Sequence, residues 1–297
     1  MEPVGFHVRL PQAMRGFQPE PERDLRAHRF GPPLDSTPGE VPVLCVHGLS
    51  ANARGFDPLG RHLGKARSVV AVDLRGRGRS ACTGAGTYGW RTHASDLLAV
   101  ADSMKAERFD LVGHSMGAFI GMQLAAMAGT RIRRLVLIDA LGMPEAAAMP
   151  PILRSVQRLS SAYTSFDAYV AVVRSLGTIE PWSEDWLNYF RYELEELPDG
   201  RVKPRTSSAA VLEDAFYGST QDPRSFWGAL SMPTLAVRAN KPLGLTETSP
   251  GGFIVSTTDL YEFLRRVPGS RAVDVDANHY GVLMHQGTLD AIGSFLS

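Results

Sequence analysis

Residues 109–128 read FDLVGHSMGAFIGMQLAAMA, in which a short apolar run is followed by a glycine-flanked turn and then by a helical pattern. The turn holds Ser115 between Gly113 and Gly117. A serine hydroxyl stands clear of a sheet only on a very tight turn, and the crowding of such a turn requires small residues on both sides. The N-terminus of the following helix favours negative charge beside that hydroxyl. The stretch therefore predicts a strand, a sharp turn and a helix, with Ser115 as a nucleophile.

Further short apolar runs, rich in β-branched residues, recur on either side of this stretch. Runs closed by Gly, Asp or Ser are typical of strands buried on both faces of a parallel sheet. The segments FHVRL and DLRAHRF alternate apolar and polar residues, which predicts an antiparallel edge with one wetted face. Helical spacing occurs between the runs. We therefore predict an α/β fold whose mostly parallel, doubly wound sheet is built from residues 43–46, 69–72, 109–112, 135–138, 234–237 and 272–275.

The alternation of strands and helices stops between residues 142 and 230, where aromatic residues and prolines become frequent. Because the α/β pattern resumes afterwards, this segment reads as a helical insertion. Residues 1–141 and 231–297 would then form one core. Aromatic residues at helical spacing usually pack together, so most of them are expected to form the core of the insertion itself. The charged run Glu193–Glu196, with Arg191, is expected to be a solvated helix face.

His279 lies in DANHY, between the last predicted strand and a final helix that would run from about Gly281 to the end and include His285. A loop at the carboxyl edge of the sheet can reach Ser115, because functional groups in open α/β sheets gather at that edge. We therefore predict that His279 is the general base. Of the other histidines, His114 is interpreted as filling the turn beside Ser115, His93 and His285 fall on helices, and the list of those in early peripheral segments is His7, His28 and His62.

The loop after the first parallel strand reads VHGLS, residues 46–50. Such a loop can aim a backbone N–H at a substrate carbonyl oxygen, and two aligned donors stabilise a tetrahedral oxyanion by several kcal/mol. We predict the N–H groups of Leu49 and Met116 as these donors. His47 is interpreted as a structural residue that orients the loop.

These motifs together resemble the α/β-hydrolase superfamily, in its branch of lidded serine esterases and C–C-bond hydrolases. The resemblance rests on HGLS, DLRGRGRS (residues 73–80), GHSMG, LVLIDA and NHY, in this order, and covers nearly the whole chain from about Val41. It implies that the insertion is a lid over the nucleophile and that a carboxylate orients His279. The DLRGRGRS stretch is expected to pack behind the site, with no chemistry of its own.

The carboxylate is the least determined member of this site. The superfamily usually carries it shortly after the strand that corresponds to PTLAVRA, but here the first acidic residue in that loop is Glu247. Some relatives place it one strand earlier, where Asp139 stands in LVLIDA. We prefer Asp139, with Glu247 as the main alternative and the remaining choice among Asp259, Asp274 and Asp276.

Composition narrows the class of partner. Of the 297 residues, 44% are hydrophobic, and 31 basic residues balance 31 acidic ones, which argues against nucleic acid as a partner. The two cysteines form neither a disulfide framework nor a metal cluster, and Cys45 should be a buried core thiol. No apolar stretch reaches the roughly 18 residues of a membrane helix. We expect a cytoplasmic protein without metal or organic cofactor.

The expected activity is hydrolysis of a small-molecule ester, lactone or related acyl substrate by a serine hydrolase of carboxylesterase or lactonase type. The same site would also serve a C–C-bond hydrolase, a thioesterase or an acyltransferase, because fold resemblance does not fix the substrate. A slow, ligand-sensing protein of the same fold is the alternative from a different class. Oligomeric state stays open.

Overall fold

A computed structural model describes residues 1–10, 14–15, 18–19, 23–33, 40–244 and 249–297. Eight strands form one sheet. They are β1 (Val4–Leu10), β2 (Arg23–Phe30), β3 (Val43–Val46), β4 (Val69–Val72), β5 (Phe109–His114), β6 (Ile132–Ile138), β7 (Thr234–Ala239) and β8 (Arg271–Val275). Their order across the sheet is β1-β2-β4-β3-β5-β6-β7-β8. The strand β2 pairs antiparallel with β1 and β4, and the other pairs are parallel. The predicted fold class and its antiparallel edge are confirmed.

Helices follow the parallel strands. They are α1 (Asp57–Leu63), α2 (Trp90–Ser103), α3 (Met116–Ala128), α4 (Met149–Gln157), α5 (Phe166–Ser175), α6 (Glu184–Glu193), α7 (Ser208–Ser219), α8 (Thr257–Arg266) and α9 (Gln286–Leu296). The predicted last helix is divided, because Gly281–Met284 is a 3₁₀ turn and α9 starts only at Gln286. His285 accepts a hydrogen bond from the Gly287 N–H and caps α9, so its placement inside a helix was wrong.

The hydrophobic core lies on both faces of the sheet. Along β3, Leu44 and Val46 point to the face covered by α2, α3 and α8, whereas Val43 and Cys45 point to the face covered by α1 and α9. All four side chains are fully buried, which explains why this strand is apolar throughout. Cys45 is the buried thiol predicted from its apolar context, and burial raises its pKa.

The strand order brings the loops that follow the parallel strands to one edge. After β3 the chain goes to β4 on one side and then crosses to β5 on the other, so the order reverses beside β3. Register aligns the carboxyl ends, with Val46 opposite Gly113 and Ile138 opposite both His114 and Val237. A crevice at such a switch point is where ligands bind in open α/β sheets.

Between β6 and β7 lies the segment predicted as an insertion, residues 142–230, called the inserted segment below. It holds α4–α7 and a small antiparallel hairpin formed by Leu194–Glu196 and Val202–Pro204. Tyr169, Trp186 and Phe190 pack together in a buried cluster. Phe216 does not pack inside the segment as expected, and 73% of its surface is exposed. The division of the chain into a core and a lid stays a prediction.

The charged run at the end of α6 is not a solvated helix face. Glu193 is fully buried, and Leu194–Glu196 is a strand. The reason is pairing with residues that are distant in the chain, since Glu193 accepts hydrogen bonds from Arg158 and Tyr169. Within the described ranges, no helix is both long and apolar enough to span a lipid bilayer.

Candidate active site

Ser115 stands at the turn between β5 and α3. Its φ of 55° is rare for a residue with a side chain, and ψ is −125°. A Cβ at Gly113 would lie 2.3 Å from the Gly117 carbonyl oxygen, and one at Gly117 would lie 2.1 Å from the Val46 carbonyl oxygen. The turn therefore folds only because both flanking residues lack a side chain, as the sequence pattern predicts.

A chain of hydrogen bonds leads from Ser115 into the sheet. The Ser115 Oγ lies 3.0 Å from His279 Nε2, and His279 Nδ1 lies 2.9 Å from Asp139 Oδ2. Because the carboxylate accepts a hydrogen bond from Nδ1–H and so keeps the proton on Nδ1, Nε2 is left as an acceptor for the serine hydroxyl. The structure thus brings together three residues that lie far apart in the sequence. Their catalytic roles stay predictions.

Asp139 is fixed at the end of β6. It is buried, its Oδ1 accepts the Ala239 N–H at 3.0 Å, and its own N–H donates to the Val237 carbonyl at 2.7 Å. The other aspartates considered for this position lie elsewhere. Their carboxylates pair with basic side chains, Asp259 with Arg224, Asp274 with Arg238, and Asp276 with Lys241. Glu247 lies outside the described residues.

The loop that follows β3 approaches Ser115 closely. A Cβ at Gly48 would lie 3.0 Å from Ser115 Cβ, and Leu49 and Met116 both line the cavity above the serine. His47 is fully buried and neutral, because burial lowers its pKa to about 3. Its Nδ1–H donates to the Gly48 carbonyl, and its Nε2 accepts the Leu74 N–H. This geometry is that of a residue that orients the loop.

Arg77, from the DLRGRGRS stretch, holds the same loop from behind. Its buried guanidinium donates from Nε to the Leu49 carbonyl at 3.1 Å and forms an ion pair with Asp214 at 2.6 Å. Asp214 also lies 2.9 Å from His93 Nε2. This network ties α2 and α7 to the loop that carries one of the predicted oxyanion donors.

His114 precedes the serine and is fully enclosed. Its ring stacks on His279 with centroids 4.8 Å apart, and its Nε2–H donates to the His279 carbonyl at 2.9 Å. Burial and the neighbouring imidazole of His279 lower the pKa of His114 to about 3. A neutral ring therefore supports the backbone of His279 without adding a charge beside it.

Ser115 and His279 form part of the floor of a cavity of about 230 Å³. The walls are mostly apolar and come from both the sheet side and the inserted segment, including Trp90, Phe119, Leu176, Trp186 and Phe190. Among the described residues, no group of three or more His, Cys, Asp or Glu side chains is placed to hold a metal ion.

Comparison with protein families agrees with this geometry. Residues 41–243 match the family model for the alpha/beta hydrolase fold. The chain belongs to the α/β-hydrolase family. This match includes the turn at Ser115, the loop after β3 and Asp139.

Relatives of this α/β hydrolase differ in how far they match. A 2-(acetamidomethylene)succinate hydrolase of Mesorhizobium japonicum is 28% identical over 256 residues, 86% of this chain and 87% of that protein. A 3-hydroxybutyrate-oligomer hydrolase of Cupriavidus necator is 34% identical over 113 residues, which is 38% of this chain. In three relatives with local matches, this chain spans only 40%, 37% and 37% of the relative's own length.

A solved structure of an E-2-(acetamidomethylene)succinate hydrolase superimposes with a TM-score of 0.77. It is 24% identical and covers 92% of this chain and 95% of the other. At this identity the likeness concerns the fold alone.

Three residues of the site were not singled out by sequence reasoning. His114 was interpreted as filling the turn, Arg77 as part of a packing motif, and Arg158 was not considered. The GHSMG and DLRGRGRS motifs did mark the first two. No sequence signal marks Arg158, because its neighbours in space, Tyr169 and Glu193, lie 11 and 35 residues away.

Proposed function

We propose that this α/β hydrolase cleaves a carboxylic ester or lactone through an acyl-enzyme on Ser115. The observation that carries the proposal is the run of hydrogen bonds from Asp139 through His279 to Ser115 at the floor of a mostly apolar cavity. An imidazole held by a buried carboxylate keeps the tautomer that can accept a hydroxyl proton.

In the first half of the reaction, Ser115 Oγ attacks the carbonyl carbon and its proton passes to His279 Nε2. The tetrahedral intermediate then collapses. The bond between the carbonyl carbon and the leaving oxygen breaks, and His279 gives its proton to that oxygen. For an ester, the products of this half are the free alcohol and the acyl-enzyme; for a lactone, the new hydroxyl group stays part of the acyl group bound to Ser115.

In the second half, a water molecule gives one proton to His279 as its oxygen attacks the acyl carbon. Collapse of this intermediate breaks the bond to Ser115 Oγ, which recovers the proton from His279. The backbone N–H groups of Leu49 and Met116 stabilise the negative oxygen in both halves, where each donor contributes about 3 kcal/mol. The inserted segment acts as a lid over the cavity in which the acyl-enzyme forms.

The site is equally suited to related bonds. A thioester, a carbon–carbon bond beside a ketone, or transfer of the acyl group to an alcohol would use the same nucleophile and base. The near full-length match to a 2-(acetamidomethylene)succinate hydrolase favours a functionalised small acid over a simple long-chain ester.

The test combines a fluorophosphonate probe with a series of p-nitrophenyl esters of increasing acyl length. We expect the folded protein to be labelled at Ser115, located by peptide mass spectrometry, and to release p-nitrophenol with a pre-steady-state burst. Ser115→Ala should lose both, with hydrolysis lowered by about six orders of magnitude.

Ser219→Ala is the matched control, because this serine also lines the cavity but has no basic partner beside it among the described residues. It should keep the labelling and the turnover. Folded protein that is not labelled and turns over none of the esters would instead support a ligand-binding protein.

A further inference from the structure

A second polar cluster, separate from Ser115, His279 and Asp139, is buried in the inserted segment. Arg158 Nη1 lies 3.0 Å from Glu193 Oε1, and the Tyr169 hydroxyl accepts from Arg158 and donates to Glu193. The side chain of Arg158 is 6% exposed and that of Glu193 is fully enclosed. Three elements supply these groups: the turn after α4, then α5 and α6.

Only Arg158 of this cluster lines the cavity that holds Ser115. Tyr169 and Glu193 lie behind it and engage Nη1. The hydrogen bonds that Arg158 donates from its side chain to described residues all come from Nη1, and none comes from Nε or Nη2. Nε and Nη2 form the parallel pair of donors with which a guanidinium binds a carboxylate in two hydrogen bonds.

The cluster keeps Arg158 charged and in place. Burial is the largest single effect and lowers the pKa of Arg158, but Glu193, Tyr169 and Tyr189 together outweigh it, so that the pKa ends above its ordinary value. The guanidinium also lies 6.0 Å from the centre of the Phe190 ring, which is a wall of the cavity. Because Glu193 and Phe190 both contact the guanidinium, its charge is already positioned for binding before any ligand arrives.

Polar groups connect Arg158 to the reaction centre. Tyr280 follows the general base, and its ring lies 5.5 Å from that of His279. Tyr280 and Ser155 both line the cavity, and the positive charge of Arg158 acts on the Tyr280 hydroxyl by favouring its ionised form. The cavity thus has one polar side, from His279 through Tyr280 to Arg158, and is mostly apolar elsewhere.

We propose that Arg158 anchors a carboxylate of the substrate, so that this hydrolase acts on acyl compounds that carry a second, free acid group. The inference rests on the proposed function and adds the class of substrate to it. A purely structural ion pair between Arg158 and Glu193 would need only Nη1 of the guanidinium and would not require Arg158 to line the cavity.

The experiment compares matched pairs of esters, with the ratio of kcat/KM for the acidic and the neutral member as the readout. One pair carries the acid on the acyl side: p-nitrophenyl hydrogen glutarate and p-nitrophenyl valerate. The other carries it on the alcohol side: 4-acetoxybenzoate and 4-acetoxybenzamide. We expect the native protein to prefer the acidic member of at least one pair by about tenfold to a hundredfold, as for a hydrogen bond to a charged group.

The double variant Arg158→Met/Glu193→Gln removes both charges together, so that no unpaired carboxylate is left in the interior. Its ratio should fall to about one. Arg158→Lys keeps the charge without the paired donors and should give an intermediate ratio. Arg154→Met, an exposed residue on α4, is the control and should keep the native ratio. Because the readout is a ratio within one protein, a partial loss of folded material does not alter it.

A ratio of one in the native protein for both pairs would overturn the inference, even with rapid hydrolysis. So would a native preference that survives in the double variant. If none of the four esters reacts and Ser115 is not labelled, the proposed function is wrong. Thermal unfolding in the presence of glutarate then tests separately whether Arg158 binds a carboxylate. Stabilisation of Ser115→Ala that disappears when Arg158→Met/Glu193→Gln is added supports the site, and no stabilisation overturns it.

Discussion

Ser115 and Asp139 both have a positive φ, 55° and 47° respectively. Residues with side chains in this region cost on the order of 1–3 kcal/mol each, and they persist only where the surroundings hold them. Both are held by backbone hydrogen bonds. The Ser115 N–H donates to the Ile138 carbonyl, and Asp139 is bound to Val237 and Ala239. At the scale of single residues, the site is therefore built from strained positions that the ends of the strands fix.

Asp139 should be the carboxylate that orients His279. Asp139→Asn removes the charge but keeps the shape, and it favours the wrong tautomer of the imidazole. We expect kcat on an activated ester to fall by about four orders of magnitude. Asp276→Asn is the control, since this aspartate pairs with Lys241 at the surface and should leave kcat unchanged. Loss of activity in Glu247→Gln, with Asp139→Asn still active, would contradict the assignment.

Gly117 should tolerate no side chain. A Cβ would overlap the Val46 carbonyl group, which belongs to the central strand β3 and cannot move aside. We expect Gly117→Ala to lower the free energy of unfolding in urea by about 3 kcal/mol. Gly228→Ala is the matched control, because no atom lies within 4 Å of its added Cβ. Equal unfolding midpoints for the two variants would show that the turn is not sterically restricted.

At the scale of elements, the loops after β3 and β4 act as one unit. Arg77, in the loop after β4, donates to the Leu49 carbonyl, and its ion pair with Asp214 anchors it to α7. His47, in the loop after β3, in turn accepts a hydrogen bond from the Leu74 N–H, in the loop after β4. These contacts explain how a stretch without chemistry of its own determines the position of the proposed oxyanion donor.

Arg77 is therefore a positioning residue. Arg77→Lys keeps a positive charge beside Asp214 but loses the branched set of donors. We expect kcat to fall by about tenfold to a hundredfold with little change in KM, because small displacements near the reacting atoms have effects of that size. Arg79→Lys, at an exposed position of the same loop, is the control. Thermal unfolding distinguishes misfolding from misplacement, and an unchanged kcat in folded Arg77→Lys would disprove the role.

At the scale of the whole molecule, stability should depend on pH through buried histidines. Burial lowers the pKa of His47 and His114 from 6.5 to about 3. The unfolded chain therefore binds protons below about pH 6.5 that the folded protein does not bind, and stability is lost as the pH falls from 7 toward 3. Between pH 7 and pH 5, each of these histidines should remove about 2 kcal/mol.

Asp57 acts in the opposite direction. Burial raises its pKa to about 6, so its protonation in the folded state offsets about 1 kcal/mol of the loss. The measurement is urea unfolding at pH 7 and pH 5. His47→Gln can replace both hydrogen bonds of the imidazole without titrating, and it should lose about 2 kcal/mol less than the native protein over this range. An equal loss in both proteins would rule out the buried neutral state of His47.

Much of the fold could be predicted from local pattern. Strands such as β3 and β4 are apolar throughout because both faces are covered, and the turn at Ser115 is marked by the two glycines that its geometry requires. The same reasoning placed His279 at the carboxyl edge of the sheet. The charged run at Glu193 was misread, because its partners Arg158 and Tyr169 come from other elements and leave no mark on the local sequence.

The sequence by itself determined the sheet, the sharp turn at Ser115 and the family, since each depends on residues that are close together in the chain. Only the tertiary structure decided which aspartate lies beside His279, that Arg77 holds the loop at Leu49, and that Arg158 reaches the cavity. The physical reason is distance along the chain. Steric limits and burial periodicity act between neighbouring residues, whereas a hydrogen bond between residues 140 positions apart exists only once strand order and register are fixed.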